Sequence, residues 1–163
     1  MAAALVIAIG DAEPFDAVRR DLARESVAAG IPFHVTLLHP FGDVADEARA
    51  FFARRKPFEF ELTRIAAWPD VVYAVPEPDD ELRACMRALF ERFPEWPPYG
   101  GSHDEVVPHA TLGEDVDGPA LRGEIQRRLA PHLPHPCQAR AVSFLEELAP
   151  GRWRERERLP LGG

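Results

Sequence analysis

The sequence predicts an α+β fold with two lobes related by a pseudo-two-fold axis. Two mainly antiparallel sheets line a central cleft, with the helices outside. Three observations lead there. Short β-branched runs alternate with amphipathic helical stretches, and two pairs of neighbouring strands read as hairpins. The order strand, helix, strand, helix, hairpin returns later as helix, strand, helix, hairpin. Finally, a His-x-Thr-Leu tetrad occurs twice, from His34 to Leu37 and from His109 to Leu112, close to half the chain length apart. That period is too long for a solenoid repeat.

With 163 residues the chain makes one domain, 1–163, with a first lobe over roughly 1–76, a second over roughly 77–163, and room for strand exchange between them. A hydrophobic fraction of 46% and a charged fraction of 28% are ordinary for a globular protein. No apolar run has the ~18 residues that suggest a membrane span. The start, Met1 to Gly10, is apolar without a basic residue before it and reads as a first strand, not a targeting segment. Cys85 and Cys137 form no Cys-x-x-Cys pair and read as reduced thiols, so the expected compartment is the cytoplasm. The net charge of −8 suits a small anionic ligand held locally, not a long phosphate backbone, whose binding rests on Lys and Arg. The 17 prolines are spread out as punctuation between elements.

Taken in order, Ala2 to Ile9 is a buried strand. Pro14 opens a helix to about Ala28, with Phe15, Val18 and Leu22 on its apolar stripe and Arg19, Arg20, Asp21 and Arg24 outside. Gly30 ends it, and the first histidine strand follows. Asp43 is the expected N-cap of a helix to about Arg55. Phe58, Phe60 and Leu62 alternate with Glu59, Glu61 and Thr63 as a half-exposed strand, and Pro69-Asp70 turns it back through Val71 to Val75. Pro78-Asp79-Asp80-Glu81 starts a helix to about Phe93, acidic where the helix dipole favours it. Pro94 to His103 reads as an ordered loop, and Val106 to Leu112 as the second histidine strand. A helix from Gly118-Pro119 to about Leu129, a loop from Pro131 to Pro136, and a last hairpin over Ala139 to Leu148 and Trp153 to Leu159 complete the chain.

In a strand, residues two apart share a face. His34 and Thr36 therefore point one way, with Phe33, Val35 and Leu37 opposite. His109 and Thr111 likewise share a face. Imidazole titrates near pH 6.5, so of two facing histidines one can be neutral and the other protonated. That is a base and an acid for in-line displacement at phosphorus, where general acid–base assistance contributes ~10²–10⁴-fold. Thr36 and Thr111 supply hydroxyl donors for the non-bridging oxygens, where negative charge grows. Neither metal nor cofactor is required for such a step.

Paired motifs of this kind, with Pro108-His109-Ala110-Thr111-Leu112-Gly113 as the second and a closing hairpin that carries Trp153, resemble the two-histidine (2H) phosphoesterase superfamily. That superfamily includes the bacterial 2′-5′ RNA ligase-like proteins and the cyclic nucleotide phosphodiesterases. The resemblance spans almost the whole chain. It implies the bilobal fold and metal-independent chemistry on 2′,3′-cyclic phosphates or 2′-5′ phosphodiesters. It also implies catalytic roles for His34 and His109 and phosphate binding by Thr36 and Thr111. Leu38-His39-Pro40-Phe41 after the first motif is closer to the cyclic-phosphodiesterase-like members. Without a long basic insertion, the implied partner is a small phosphate-containing substrate or a short RNA end.

Other candidates are less specific. His39 is either a cleft residue or a surface-loop histidine. Tyr99, in Tyr99-Gly100-Gly101-Ser102, either stacks on a base or packs its own loop, and Phe41 is a second candidate for stacking. His103-Asp104 is half a metal site without convincing further ligands. His132 and His135 sit in a proline-rich loop expected to face solvent. The rival functions are a binding module that keeps the cleft without turnover, and a metal-dependent hydrolase built on His103, Asp104 and His109.

Overall fold

In the computed structural model, which describes residues 2–101 and 106–162, the chain opens with strand β1 (Ala3–Ala8), an almost uninterrupted apolar run. Such a run belongs to a strand covered on both faces. Leu5 and Ile7 enter the main core, while Ala4 and Val6 pack with Leu145 and Trp153 on the opposite face.

Helix α1 (Glu13–Leu22) has Pro14 in its first turn, Glu13 and Asp16 at its N-terminus, and Arg19 and Arg20 near its C-terminus, each matched to the helix dipole. A single helix to Ala28 was expected. Instead the helix breaks at Ala23, with φ −136° and ψ 48°, and a separate turn α2 (Arg24–Ala28) follows. Nor does Arg19 face solvent: it is only 5% exposed. Gly30, at φ 88°, turns the chain where a Cβ would come within 2.8 Å of the Trp153 carbonyl oxygen. The Trp153 amide donates to the Ala29 carbonyl at 2.7 Å, so this turn anchors Trp153.

Strand β2 (His34–Phe41) runs through Pro40 and beyond the expected end of the histidine strand. Helix α3 (Ala45–Ala53) starts from Val44, with no side-chain cap. The Asp43 carboxylate, expected to cap it, instead pairs with Arg156. Strands β3 (Phe58–Trp68) and β4 (Val71–Glu77) form the expected hairpin, and α4 (Asp80–Arg92) follows with Leu82, Cys85, Met86 and Leu89 buried. A short 3₁₀ turn at Pro98–Gly101 comes before β5 (Ala110–Glu114). Helix α5 (Gly118–Leu129) is capped by Asp117, whose carboxylate accepts from the Ala120 amide at 3.2 Å.

Part of the expected loop from Pro131 to Pro136 is a strand, β6 (His135–Ala139), paired along Phe58 to Leu62 of β3. Prolines do not prevent this at a sheet edge, where one side of the strand needs no partner. Strands β7 (Ala141–Ala149) and β8 (Arg152–Pro160) form the last hairpin.

All pairings are antiparallel, in the order β6-β3-β4-β5-β2-β1-β7-β8. The expected pair of separate sheets is thus one eight-stranded sheet. Its two four-stranded halves join through the single pairing Val35↔Ala110 between β2 and β5. Each half-sheet combines two strands from the first half of the sequence with two from the second: β1 and β2 lie with β7 and β8, and β3 and β4 with β5 and β6. The helix-covered core includes Phe15, Phe33, Phe52, Phe93 and Phe144, all under 3% exposed. Among the described residues no helix is long and apolar enough to cross a membrane.

Candidate active site

The central residues of the two His-x-Thr motifs, Val35 and Ala110, are the pair that joins the half-sheets. Both are fully buried on the core side. Side chains alternate along a strand, so the flanking residues emerge together on the other face. An antiparallel register centred on that pair sets His34 opposite Thr111 and Thr36 opposite His109. Two distant tetrads thus become one four-residue cluster. On its outer sides, β1 supports the first motif through Ala8↔His34 and Val6↔Thr36, and β4 supports the second through Tyr73↔Thr111.

Both imidazoles are held in the same way. His34 Nδ1 lies 2.7 Å from the Pro32 carbonyl oxygen, and His109 Nδ1 lies 2.7 Å from that of Val107. A carbonyl only accepts, so each Nδ1 carries the hydrogen and each neutral ring presents an unprotonated Nε2. His34 Nε2 is 3.0 Å from the Thr36 hydroxyl oxygen, and Thr36 also bonds the Tyr99 phenol. With Nε2 unprotonated, the hydroxyls run one way: Tyr99 donates to Thr36, and Thr36 donates to His34.

Burial pushes the His34 imidazole down to about 4. The Pro32 carbonyl opposes this, while positive charge on Arg19, His109 and His39 adds to it. Burial also lowers His109, against the pull of the Val107 carbonyl. Without a ligand, then, both rings favour the neutral form at pH 7. An anion between them reverses that preference, because opposite charge favours imidazolium.

Two cavities flank the cluster. One is lined by His34, Thr36 and Thr111 together with Arg19, His39 and Trp153. The other, on the His109 side, is lined by Trp68, Asp70, Val71 and Tyr99. The edge of the His109 ring meets Trp68 with centroids 4.8 Å apart and Tyr73 at 5.7 Å.

The remaining candidates divide. His39 lies within β2, not in a turn, and reaches the cleft because register shifts on either side of Leu5 reset the alternation along β2. Its ring lies 6.3 Å from Tyr99 and 6.0 Å from Trp153. Phe41 is not at the cleft. It is 3% exposed and packs edge-on against Phe93, Trp96 and Phe144. His135 is a strand residue whose ring meets Phe15 at 5.2 Å, while His132 is exposed as expected. Ser102, His103 and Asp104 lie outside the described residues, among which no group of three or more His, Cys, Asp or Glu side chains is placed to hold a metal.

Sequence reasoning missed Arg19, Trp68 and Tyr73. A signal for Arg19 was present, because it occupies the i+4 position of the stripe Phe15, Val18, Leu22. A charge on a buried stripe needs a polar cavity or a partner. Arg19 has both: Nη2 donates to the Ile31 carbonyl at 2.7 Å, and the side chain lines the cleft.

Residues 6–150 match the family model of the 2′-5′ RNA ligase superfamily. The chain belongs to that superfamily, the 2H phosphoesterases. Among solved structures, E. coli LigT complexed with 3′-AMP is 18% identical with a TM-score of 0.63, the alignment covering 98% of this chain and 97% of that one. A crystal structure described as a phosphoesterase is 17% identical, at TM-score 0.63 and coverages of 99% and 98%. The Thermus thermophilus protein TT0787 is 19% identical, at TM-score 0.56 and coverages of 100% and 99%. At such identities the likeness establishes the 2H fold. A search of curated protein sequences finds no significant match.

Proposed function

We propose that the protein is a metal-independent phosphodiesterase acting on 2′,3′-cyclic phosphates of nucleotides or RNA ends, and on 2′-5′ phosphodiester bonds. The observation that carries this reading is the Val35↔Ala110 pairing, which gathers two identically held imidazoles and two hydroxyls on one face. A phosphate seated there draws the Thr36 hydroxyl away from His34 Nε2 and onto a non-bridging oxygen, with Thr111 on another. The freed Nε2 of one ring takes a proton from the attacking water, and the other ring protonates the departing ribose oxygen. Donors placed where charge develops lower the barrier without rearrangement. With a 5′-hydroxyl in place of water, the same attack on a 2′,3′-cyclic phosphate breaks the bond to the 3′-oxygen, which takes the proton, and joins RNA ends through a 2′-5′ bond.

Solved structures of E. coli LigT hold 3′-AMP, ATP, NADP⁺ and phosphate, which supports a small nucleotide or terminal phosphate as the occupant here. The net charge of −8 argues against a long nucleic-acid tract. Cys85 and Cys137 are buried free thiols, in keeping with the reducing cytoplasm that we propose as its compartment.

The test is incubation with 2′,3′-cyclic nucleotides in EDTA. The wild-type protein is expected to release a nucleoside monophosphate, and His34→Ala or His109→Ala to lower kcat/KM by ~10³-fold, within the range of a lost acid or base. Full activity in both variants refutes the proposal. Tight binding of the cyclic nucleotide without any product favours a binding module instead.

A further inference from the structure

The two cavities beside the histidines and threonines differ in size. The one lined by Arg19 and Trp153 encloses about 190 Å³, and the one beside His109 about 520 Å³. Small-molecule pockets commonly measure ~300–1,000 Å³, so the cavity beside His109 is the one with room for a nucleobase. Its wall suits a flat ring. Trp68 ends β3, and Tyr73 of β4 lies against its indole, with centroids 4.3 Å apart and planes 33° apart. Tyr73 is 8% exposed and lies outside the cavity, which leaves the other face of the indole to it. Tyr99 borders the same space. Rings of this kind stack on any base, because every base has a π-face. Stacking therefore gives affinity without choice.

Choice requires a polar group, and the charged one here is Asp70, exposed at the turn between β3 and β4. Its backbone carbonyl accepts from the Val116 amide at 3.2 Å, whereas among the described residues nothing bonds its carboxylate. The neighbouring polar groups are engaged: the Val107 carbonyl holds His109 Nδ1, and the Tyr99 phenol bonds Thr36. Aspartate is common in turns, but a turn does not require its carboxylate to border an aromatic cavity.

A carboxylate only accepts hydrogen bonds, through two oxygens. The four bases offer it different edges. Guanine presents N1–H and the N2 amine side by side, two donors that match two oxygens as an arginine fork does. Adenine and cytosine each present one amine beside a ring nitrogen that accepts, so the second carboxylate oxygen meets a lone pair. Uracil presents N3–H between two carbonyl oxygens. We infer that Asp70 is a specificity-determining residue that selects guanine in the Trp68 cavity. The preferred substrates are then guanosine 2′,3′-cyclic phosphate and RNA ends whose last nucleoside is guanosine. The inference rests on the nucleotide occupant of the phosphodiesterase reading, though not on its turnover. For an exposed carboxylate the expected discrimination is about tenfold, toward the low end for a bidentate base contact.

The test compares the wild type, Asp70→Asn and Asp70→Ala. Calorimetry measures binding of the 3′-monophosphates of guanosine, adenosine, cytidine, uridine and inosine, and steady-state kinetics measures kcat/KM on the matching 2′,3′-cyclic phosphates. The wild type is expected to favour guanosine about tenfold over adenosine, cytidine and uridine. Inosine keeps N1–H but lacks the N2 amine, and should lose most of that advantage. Asp70→Ala should bring guanosine and adenosine level, and Asp70→Asn should turn the preference toward adenosine, because an amide both donates and accepts. A turn residue with no role in base choice would weaken all five alike, and that result overturns the inference. So does wild-type binding without a guanosine preference, an absence of binding, or a preference that survives in both variants. If the variants fail to fold, the wild-type series with inosine still decides. Guanosine-selective binding without turnover of any cyclic nucleotide contradicts the activity and not the role of Asp70, whereas equal turnover of all of them does the reverse.

Discussion

Acid should unfold this protein partly through a single imidazole. His34 is held near 4 in the folded chain, whereas an unfolded histidine titrates near 6.5. Below pH 6.5 the unfolded chain takes up a proton that the folded one refuses. The stability that His34 contributes is therefore complete above that pH and is lost as pH falls toward 4. A shift of this size at 1.36 kcal/mol per unit is worth about 3 kcal/mol, a large share of a typical domain's stability. The assay is urea unfolding of the wild type and of His34→Gln at a series of pH values from 7 to 4. Carboxylates titrate in both proteins, so the difference between the two curves isolates the histidine. The gap should change by about 3 kcal/mol across the range, the variant losing less. Added phosphate should shrink that change, because a bound anion favours the imidazolium. Parallel curves for the two proteins would refute the reasoning.

Two further predictions concern the walls of the site. Phe41→Ala should lower stability by ~3–5 kcal/mol through the cavity it leaves, with KM for a cyclic nucleotide unchanged below the new Tm. Trp68→Ala should instead raise KM about tenfold, in line with the loss of one base-stacking surface. Steady-state kinetics beside thermal melts separate these cases, and a KM effect confined to Phe41→Ala would reverse our placement of the two rings. Gly118→Ala should destabilise by ~1–3 kcal/mol, because the new methyl group meets the Trp68 and Val71 carbonyl oxygens. Denaturant midpoints measure this, and an unchanged midpoint would mean that the tip of the β3-β4 hairpin is not braced by α5.

What could be read from the sequence was mostly local. The α4 start at Pro78-Asp79-Asp80, the β3-β4 hairpin around Pro69-Asp70, and the strand through the first His-x-Thr tetrad depend on a few adjacent residues and emerged as expected, whereas the second histidine strand, expected from Val106 to Leu112, begins only at Ala110, just after His109, and runs to Glu114. Long-range pairing was harder to see. Pro134 and Pro136 mark β6 as a loop to any propensity argument, and only the free edge of β3 makes a strand of it. That β2 and β5 would join two half-sheets into one is likewise decided by a single contact, Val35 to Ala110.

The errors at the site have the same origin. His39 had two readings, in the cleft or on a surface loop; β2 continues through it, and the register shifts beside Leu5 carry it back to the face of His34. Phe41 and Arg19 then exchanged environments. The aromatic beside the motif went into the core, and the arginine on the apolar stripe went to the cleft. Propensity describes a residue's own backbone, while these outcomes depend on what the opposite element leaves unfilled.

The central claim is that two imidazoles from distant parts of the chain share one anion. A crystal grown with inorganic phosphate tests it most directly. The account predicts one phosphate within hydrogen-bond distance of His34 Nε2 and His109 Nε2, with the Thr36 and Thr111 hydroxyls on its remaining oxygens. A phosphate bound to one histidine alone, or a cleft that stays unoccupied at saturating phosphate, would contradict it.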